Sequence, residues 1–243
     1  MGTTTPALAC SALVKHYGRA LALAGVDLTV EPGAVVGLVG PNGSGKTTAL
    51  RIAAGIVRPD SGTVFVDGQP GATLAAGART GYVPDEPTGL DELTVGEYLD
   101  LVRALYRAGP AFGDRAEGLL QAFRLGDRGG VRLGSLSHGL RRSTAIVAAL
   151  ALRPTLAVVD EASAALDPTA ASVLADALRA LAAGGSGVVL ATQDLDFARA
   201  ACDEVALLGE GRIVERGSPA AVLAGFGGDS LEAELLAMLG AGA

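Results

Sequence analysis

Two histidines, two cysteines and no block of lysine or arginine leave several chemistries short of their residues. A histidine-based metal site would need more imidazoles than the chain holds. Cys10 and Cys202 stand far apart without metal-ligand spacing. They read as idle thiols in a reducing cytosol rather than as a disulfide. The net charge of -7, with no basic cluster, provides no electrostatic footprint for nucleic acid, and none is expected as a partner. The longest apolar region, from Ala145 to Val159, is broken by Arg153-Pro154 and makes a poor membrane span. The N-terminus has no basic flank leading into an apolar stretch, so no secretory signal is expected.

What is present is a chain of 243 residues, 49% of them hydrophobic and arranged in short runs split by glycine and charge. That pattern suits one packed α/β domain over residues 1–243. Its most informative stretch is Gly40-Pro41-Asn42-Gly43-Ser44-Gly45-Lys46-Thr47, an unbroken G-x-x-x-x-G-K-[ST] phosphate-binding loop. The glycines let successive backbone N–H groups converge on one anion. Lys46 supplies positive charge for β- and γ-phosphates, and the Thr47 hydroxyl can ligate Mg²⁺. Ala34 to Val39 precedes the loop with strand character, and Thr48 to Ala54 follows as a helix, so the loop opens onto a helix N-terminus. These eight residues and Thr48 are the candidate nucleotide-binding set.

Elsewhere the pattern alternates. Leu8 to Val14 and Ala22 to Val30 read as strands separated by a turn-like Lys15–Arg19 segment, giving an antiparallel β portion near the N-terminus. Thr63 to Val66 and Thr80 to Val83 are further strands. From about residue 90 to 152 only helical spacing appears, in Thr94–Ala108, Asp114–Phe123 and His138–Leu152. This predicts a helical subdomain inserted in the core. Strands return at Leu156–Val159, Gly187–Ala191, Glu204–Leu208 and Arg212–Glu215. Pro168–Ala183 is a helix capped by Asp167. The alternation favours a mainly parallel sheet. Ser230 to Leu239 reads as a last amphipathic helix, about 229–240.

Leu156-Ala157-Val158-Val159-Asp160-Glu161 is a buried strand that delivers two carboxylates at its C-terminal end, where ligands sit in open α/β sheets. Asp160 would hold the Mg²⁺ shell and Glu161 could polarise an attacking water. Ser137 opens the third helix of the insertion. It is a good N-cap. Equally, with the Gly139 amide it could present a second phosphate-binding surface. The segment alone does not choose.

In order and spacing, these elements resemble the nucleotide-binding subunits of ATP-binding cassette (ABC) transporters along nearly the whole chain. Gly40–Thr47 is similar to Walker A, Leu156–Glu161 to Walker B, and Leu136–Leu140 to the family signature. Ala164–Asp167 resembles the D-loop, and Tyr17 lies where the family places an aromatic that stacks on adenine. The resemblance implies a P-loop nucleotidase fold and ATP with Mg²⁺ as cofactors. It implies head-to-tail pairing with a second such subunit, as homo- or heterodimer, with Ser137, His138 and Gly139 acting in trans on the partner's ATP. It also implies membrane permease subunits as partners, a peripheral place on the cytoplasmic face of the membrane, and docking through the helical insertion and the loop near Asp85.

Five positions depart from the family pattern. Asp85 stands where a glutamine usually meets Mg²⁺ and the attacking water, and it joins Thr47 and Asp160 as a candidate metal ligand. Gln193 stands where a histidine contacts the γ-phosphate, and it can donate a hydrogen bond without carrying charge. In the signature His138 and Leu140 replace glycine and glutamine, and Ala162 replaces a proline. The catalytic candidates are therefore Glu161, Lys46, Gln193 and Asp85. Pro-Asp-Glu-Pro and Ser-His-Gly resemble the bacterial branch that serves drug, polysaccharide and other export permeases. A soluble ABC ATPase acting on ribosomes or DNA is disfavoured by the single cassette and the acidic balance.

Overall fold

The computed structural model describes residues 5–87 and 89–224. Strands β1 (Leu8–Tyr17) and β2 (Ala20–Val30) pair antiparallel around a tight Gly18-Arg19 turn. The sequence predicts a turn over Lys15–Arg19, but the strand runs on through Tyr17. Asp60 is the reason: its carboxylate accepts from Lys15 Nζ at 2.8 Å and from the His16 backbone N–H at 2.6 Å, holding the strand end extended.

Next come β3 (Val35–Val39), α1 (Lys46–Ala53), β4 (Ser61–Val66), the two-residue β5 (Gln69–Pro70), the single turn α2 (Leu74–Gly77) and β6 (Thr80–Val83). The helical insertion follows as α3 (Val95–Leu105), α4 (Ala111–Ala122) and α5 (His138–Ala151). α3 begins with a reciprocal capping box between Thr94 and Glu97, which satisfies two N-terminal donors. The chain continues through β7 (Leu156–Val159), α6 (Pro168–Ala183), β8 (Gly187–Thr192), α7 (Leu195–Ala201), β9 (Glu204–Gly209), β10 (Arg212–Gly217) and α8 (Pro219–Val222). The helix expected over Ser230–Leu239 lies outside the described residues.

Two sheets result. The first, β2-β1-β4-β5, is antiparallel. The second, ordered β10-β9-β3-β8-β7-β6, is parallel except for its edge strand β10. Its inner strands are apolar on both faces, as buried parallel strands must be, and alternate residues enter different cores. Val35 and Val39 of β3 join the cluster under α4 to α7, while Val36 and Leu38 join the cluster around α1 and the first sheet. Helix α1 is thereby clamped between the two sheets, and the helical insertion rests on the other face.

Candidate nucleotide-binding site

Register places the site. Val39 pairs with Thr192, Val159 with Leu190, and Val83 with Val159, so β3, β8, β7 and β6 end along one edge. Gly40, Gln193, Asp160 and Asp85 all leave the sheet there, at the carboxyl ends where open α/β sheets bind ligands.

The loop after β3 turns into α1 at Gly45, whose φ of 107° is open only to glycine. The helix begins at Lys46, two residues earlier than Thr48, because this turn already aims Lys46 and Thr47 along the first helical turn. Lys46 is 4% exposed. Its ammonium donates to the carbonyls of Gly40 at 2.8 Å and Pro41 at 3.0 Å, and lies 3.6 Å from Glu161 Oε1. Burial pulls the Lys46 pKa down, and the Glu161 carboxylate opposes that shift.

Thr47 Oγ1 donates to Asp160 Oδ1 at 3.1 Å. The second carboxylate oxygen of Asp160 is buried without a hydrogen-bond partner among the described residues, as is Ser44 Oγ in the loop. Buried polar atoms are rarely left unpaired. A hydroxyl and a carboxylate oxygen side by side are hard donors of the kind Mg²⁺ takes together with substrate phosphates. Thr47 and Asp160 therefore fit the metal, and Ser44 fits a phosphate. Burial raises the Asp160 pKa, the Thr47 hydrogen bond lowers it, and the charges of Glu161 and Asp85 push it up again. A cation beside Asp160 would favour its ionised form.

Glu161 follows with φ 45°, in the left-handed region. For a residue with a Cβ this costs about 1–2 kcal/mol. The turn carries its carboxylate away from the strand axis and toward Lys46. Asp85 is half exposed, with Oδ1 3.9 Å from Arg142 Nη1. Gln193 is exposed, and its side chain makes no hydrogen bond among the described residues. Tyr17, at the end of β1, is half exposed, with Lys15 Nζ over its ring at 5.8 Å from the centre.

The residues that resemble the signature lie in a separate cleft. Ser137 Oγ accepts from the Leu140 backbone N–H at 3.4 Å, a long cap. Ser137, His138 and Gly139 line a cleft of about 410 Å³ with Leu166 and Asp167. A Cβ on Gly139 would stand 2.5 Å from the Ala165 carbonyl, so only glycine lets α5 pack this close to that loop. Asp167 Oδ1 accepts from the Ala170 N–H at 2.8 Å and caps α6 as expected. No hydrogen bond or ion pair links this cleft to Lys46, Thr47 or Asp160 among the described residues. Both cysteines are buried and free, with burial pushing each thiol up to about 12, which suits idle residues.

One residue was not singled out by its motif. Arg142 is fully buried in α5. Its Nη1 donates to the carbonyls of Pro84 and Asp85, and its Nη2 to those of Asp160 and Glu161. The available signal was a charge on the helix's apolar stripe, since buried Ala145, Ile146 and Ala149 follow it at i+3, i+4 and i+7.

Fold and site together define a phosphate-loop nucleotide-binding protein with a second, signature-bearing cleft. The comparisons with known proteins narrow this. The family model described as ABC transporter matches residues 23–164. The Nod factor export ATP-binding protein I of Ralstonia nicotianae is 34% identical over 219 residues, spanning 89% of this chain and 68% of that protein. A daunorubicin resistance ATP-binding protein of Streptomyces coeruleorubidus is 36% identical over 93% of this chain and 71% of its own length. A solved ATP-binding subunit of an ABC transporter superposes with a TM-score of 0.85 at 30% identity, covering 96% of this chain and 99% of that one. The chain belongs to the ATP-binding subunits of the ABC transporter family.

Proposed function

We propose that the chain hydrolyses ATP to drive a separate membrane permease in export. The observation that carries the chemistry is the meeting of Lys46 with Glu161, and of Thr47 with Asp160, at one sheet edge. In this reading Gly40–Thr47 and Thr48 cradle the phosphates, Tyr17 stacks on the base, and Thr47 and Asp160 hold Mg²⁺. The metal would neutralise charge on the phosphates. Glu161 takes the proton from water as its oxygen attacks the γ-phosphorus, and ADP leaves with the bridging oxygen. Lys46 stabilises charge on the γ-phosphate. Ser137, His138, Gly139 and Asp167 complete the site of a second subunit, as homo- or heterodimer.

The export direction rests on the names of the relatives, which refer to Nod factor export and daunorubicin resistance. No helix among the described residues is long and apolar enough to cross a membrane, so a permease would supply the spans and hold the chain at the inner face. The purified chain should turn over ATP with Mg²⁺ present and lose that turnover in excess chelator, regaining it when Mg²⁺ is restored. Phosphate release that is equal with and without the metal, measured on chain and permease together, would overturn the reading.

A second reading, a nucleotide-binding partner with weak hydrolysis, is favoured by Gln193 and Asp85. Neither brings positive charge to the γ-phosphate, and Asp85 faces Arg142. Gln193→His distinguishes the two. A rise in kcat of at least about tenfold, well within the roughly 10²–10³ that one well-placed transition-state donor can contribute, supports the weak site. A change under twofold supports the first reading.

A further inference from the structure

Arg142 sits where three pieces of the molecule meet. It belongs to α5, one turn below His138 and Gly139. Its two terminal nitrogens point into different segments: the Pro84-Asp85 loop that follows β6, and the Asp160-Glu161 turn that follows β7. Between them these segments carry two of the catalytic candidates and the metal ligand Asp160. A planar fork with fixed geometry is suited to bridging two carbonyl pairs, whereas an ammonium is a single point of donation.

Space-filling does not account for this choice. A buried guanidinium is costly to desolvate, and an apolar side chain of similar volume would fill the same space. Its Nε remains without a partner among the described residues, so the residue is not perfectly satisfied even here. What it gains is control of four peptide units, two in each segment. One is the peptide of Glu161, whose left-handed φ needs support from its surroundings. The second tie between α5 and the same turn is the close packing of Gly139 on the Ala165 carbonyl.

We infer that Arg142 is a positioning residue that locks the Asp85 loop, the Glu161 turn and the signature helix into one unit. A shift of α5 or of the Asp85 loop is thereby passed to the Glu161 carboxylate without any ligand contact by Arg142 itself. The inference rests on the proposed hydrolysis for its kinetic consequence only.

Arg142→Lys keeps the buried charge and removes the bridge; Arg142→Gln keeps one amide donor group and removes the charge. Steady-state turnover, binding of a fluorescent ATP analogue and backbone hydrogen exchange are measured on both. The expected result is a kcat at least tenfold lower with KM and analogue affinity within twofold of the parent. Exchange should speed up together at the amides of Asp85 and Glu86, the residues of that loop between its two prolines, and at those of residues 160–162, while α1 and β3 stay protected. Unchanged exchange at those two segments would overturn the assignment, and so would faster exchange throughout the chain or a loss of affinity equal to the loss of kcat. If the parent itself turns over no ATP, the hydrolysis reading fails separately, and the paired exchange response still decides the role of Arg142.

Discussion

Lys46→Ala should abolish measurable ATP turnover and weaken nucleotide binding by at least about a hundredfold. Among the described residues Lys46 is the one cation in hydrogen-bonding contact with the loop carbonyls, and it is nearly sealed from solvent. A unit charge about 4 Å from a phosphate oxygen is worth about 4 kcal/mol at an effective dielectric of about 20. Loss of that term alone corresponds to about three decades in affinity, part of which relaxation and water will return. Alanine also strips the Glu161 carboxylate of its ion-pair partner at 3.6 Å, leaving two acids, Asp160 and Glu161, facing the phosphates. Titration with a fluorescent ATP analogue and a phosphate-release assay measure both effects. Turnover within threefold of the parent would mean that the loop does not hold the reacting phosphates.

Glu161→Gln should split the two effects that Lys46→Ala combines. The amide keeps the shape and can still donate or accept, but it cannot take a proton from water. Positioned general bases contribute about 10²–10⁴-fold, so kcat should fall by at least about a hundredfold. Binding should hold or tighten, since one negative charge beside the γ-phosphate is removed. A subunit that binds and does not turn over should accumulate as an ATP-bound pair, seen as a doubling of mass in sedimentation with ATP and Mg²⁺. A kcat within twofold of the parent would remove Glu161 from the chemistry.

The parallel sheet was legible because its strands are buried on both faces. Val35–Val39, Leu156–Val159 and Gly187–Thr192 are continuous apolar runs that stop at glycine or a polar residue. Walker-type motifs at the ends of such runs name their chemistry, and the structure gathers them on one edge. Shorter pieces were not legible. β5, α2 and α8 have two to four residues, too few to show a period. α7 was hidden because Thr192-Gln193-Asp194 reads as a γ-phosphate position, although Asp194 Oδ1 also accepts from the Phe197 N–H at 2.9 Å and starts a helix. The start of α1 came two residues early, since a loop motif and a first helical turn share Lys46 and Thr47. The apolar stripe of α5 marks Arg142 as a buried charge, but nothing in the sequence names what it holds. Its partners lie 18, 19, 57 and 58 positions away, and only the folded sheet brings them within reach.

The two cores on opposite faces of the sheet bear on how such a chain diversifies. Residues that hold α1 and the phosphate loop lie in one cluster, and those that seat α3 to α5 lie in the other. Substitutions more than about 7–10 Å apart without shared partners act additively. If the proposed permease docks on the insertion, mutational drift on its outer surface can alter that fit while the packing around the phosphate loop stays as inherited. The exception is the buried face of α5, where a single arginine touches both inheritances at once and leaves little freedom to change.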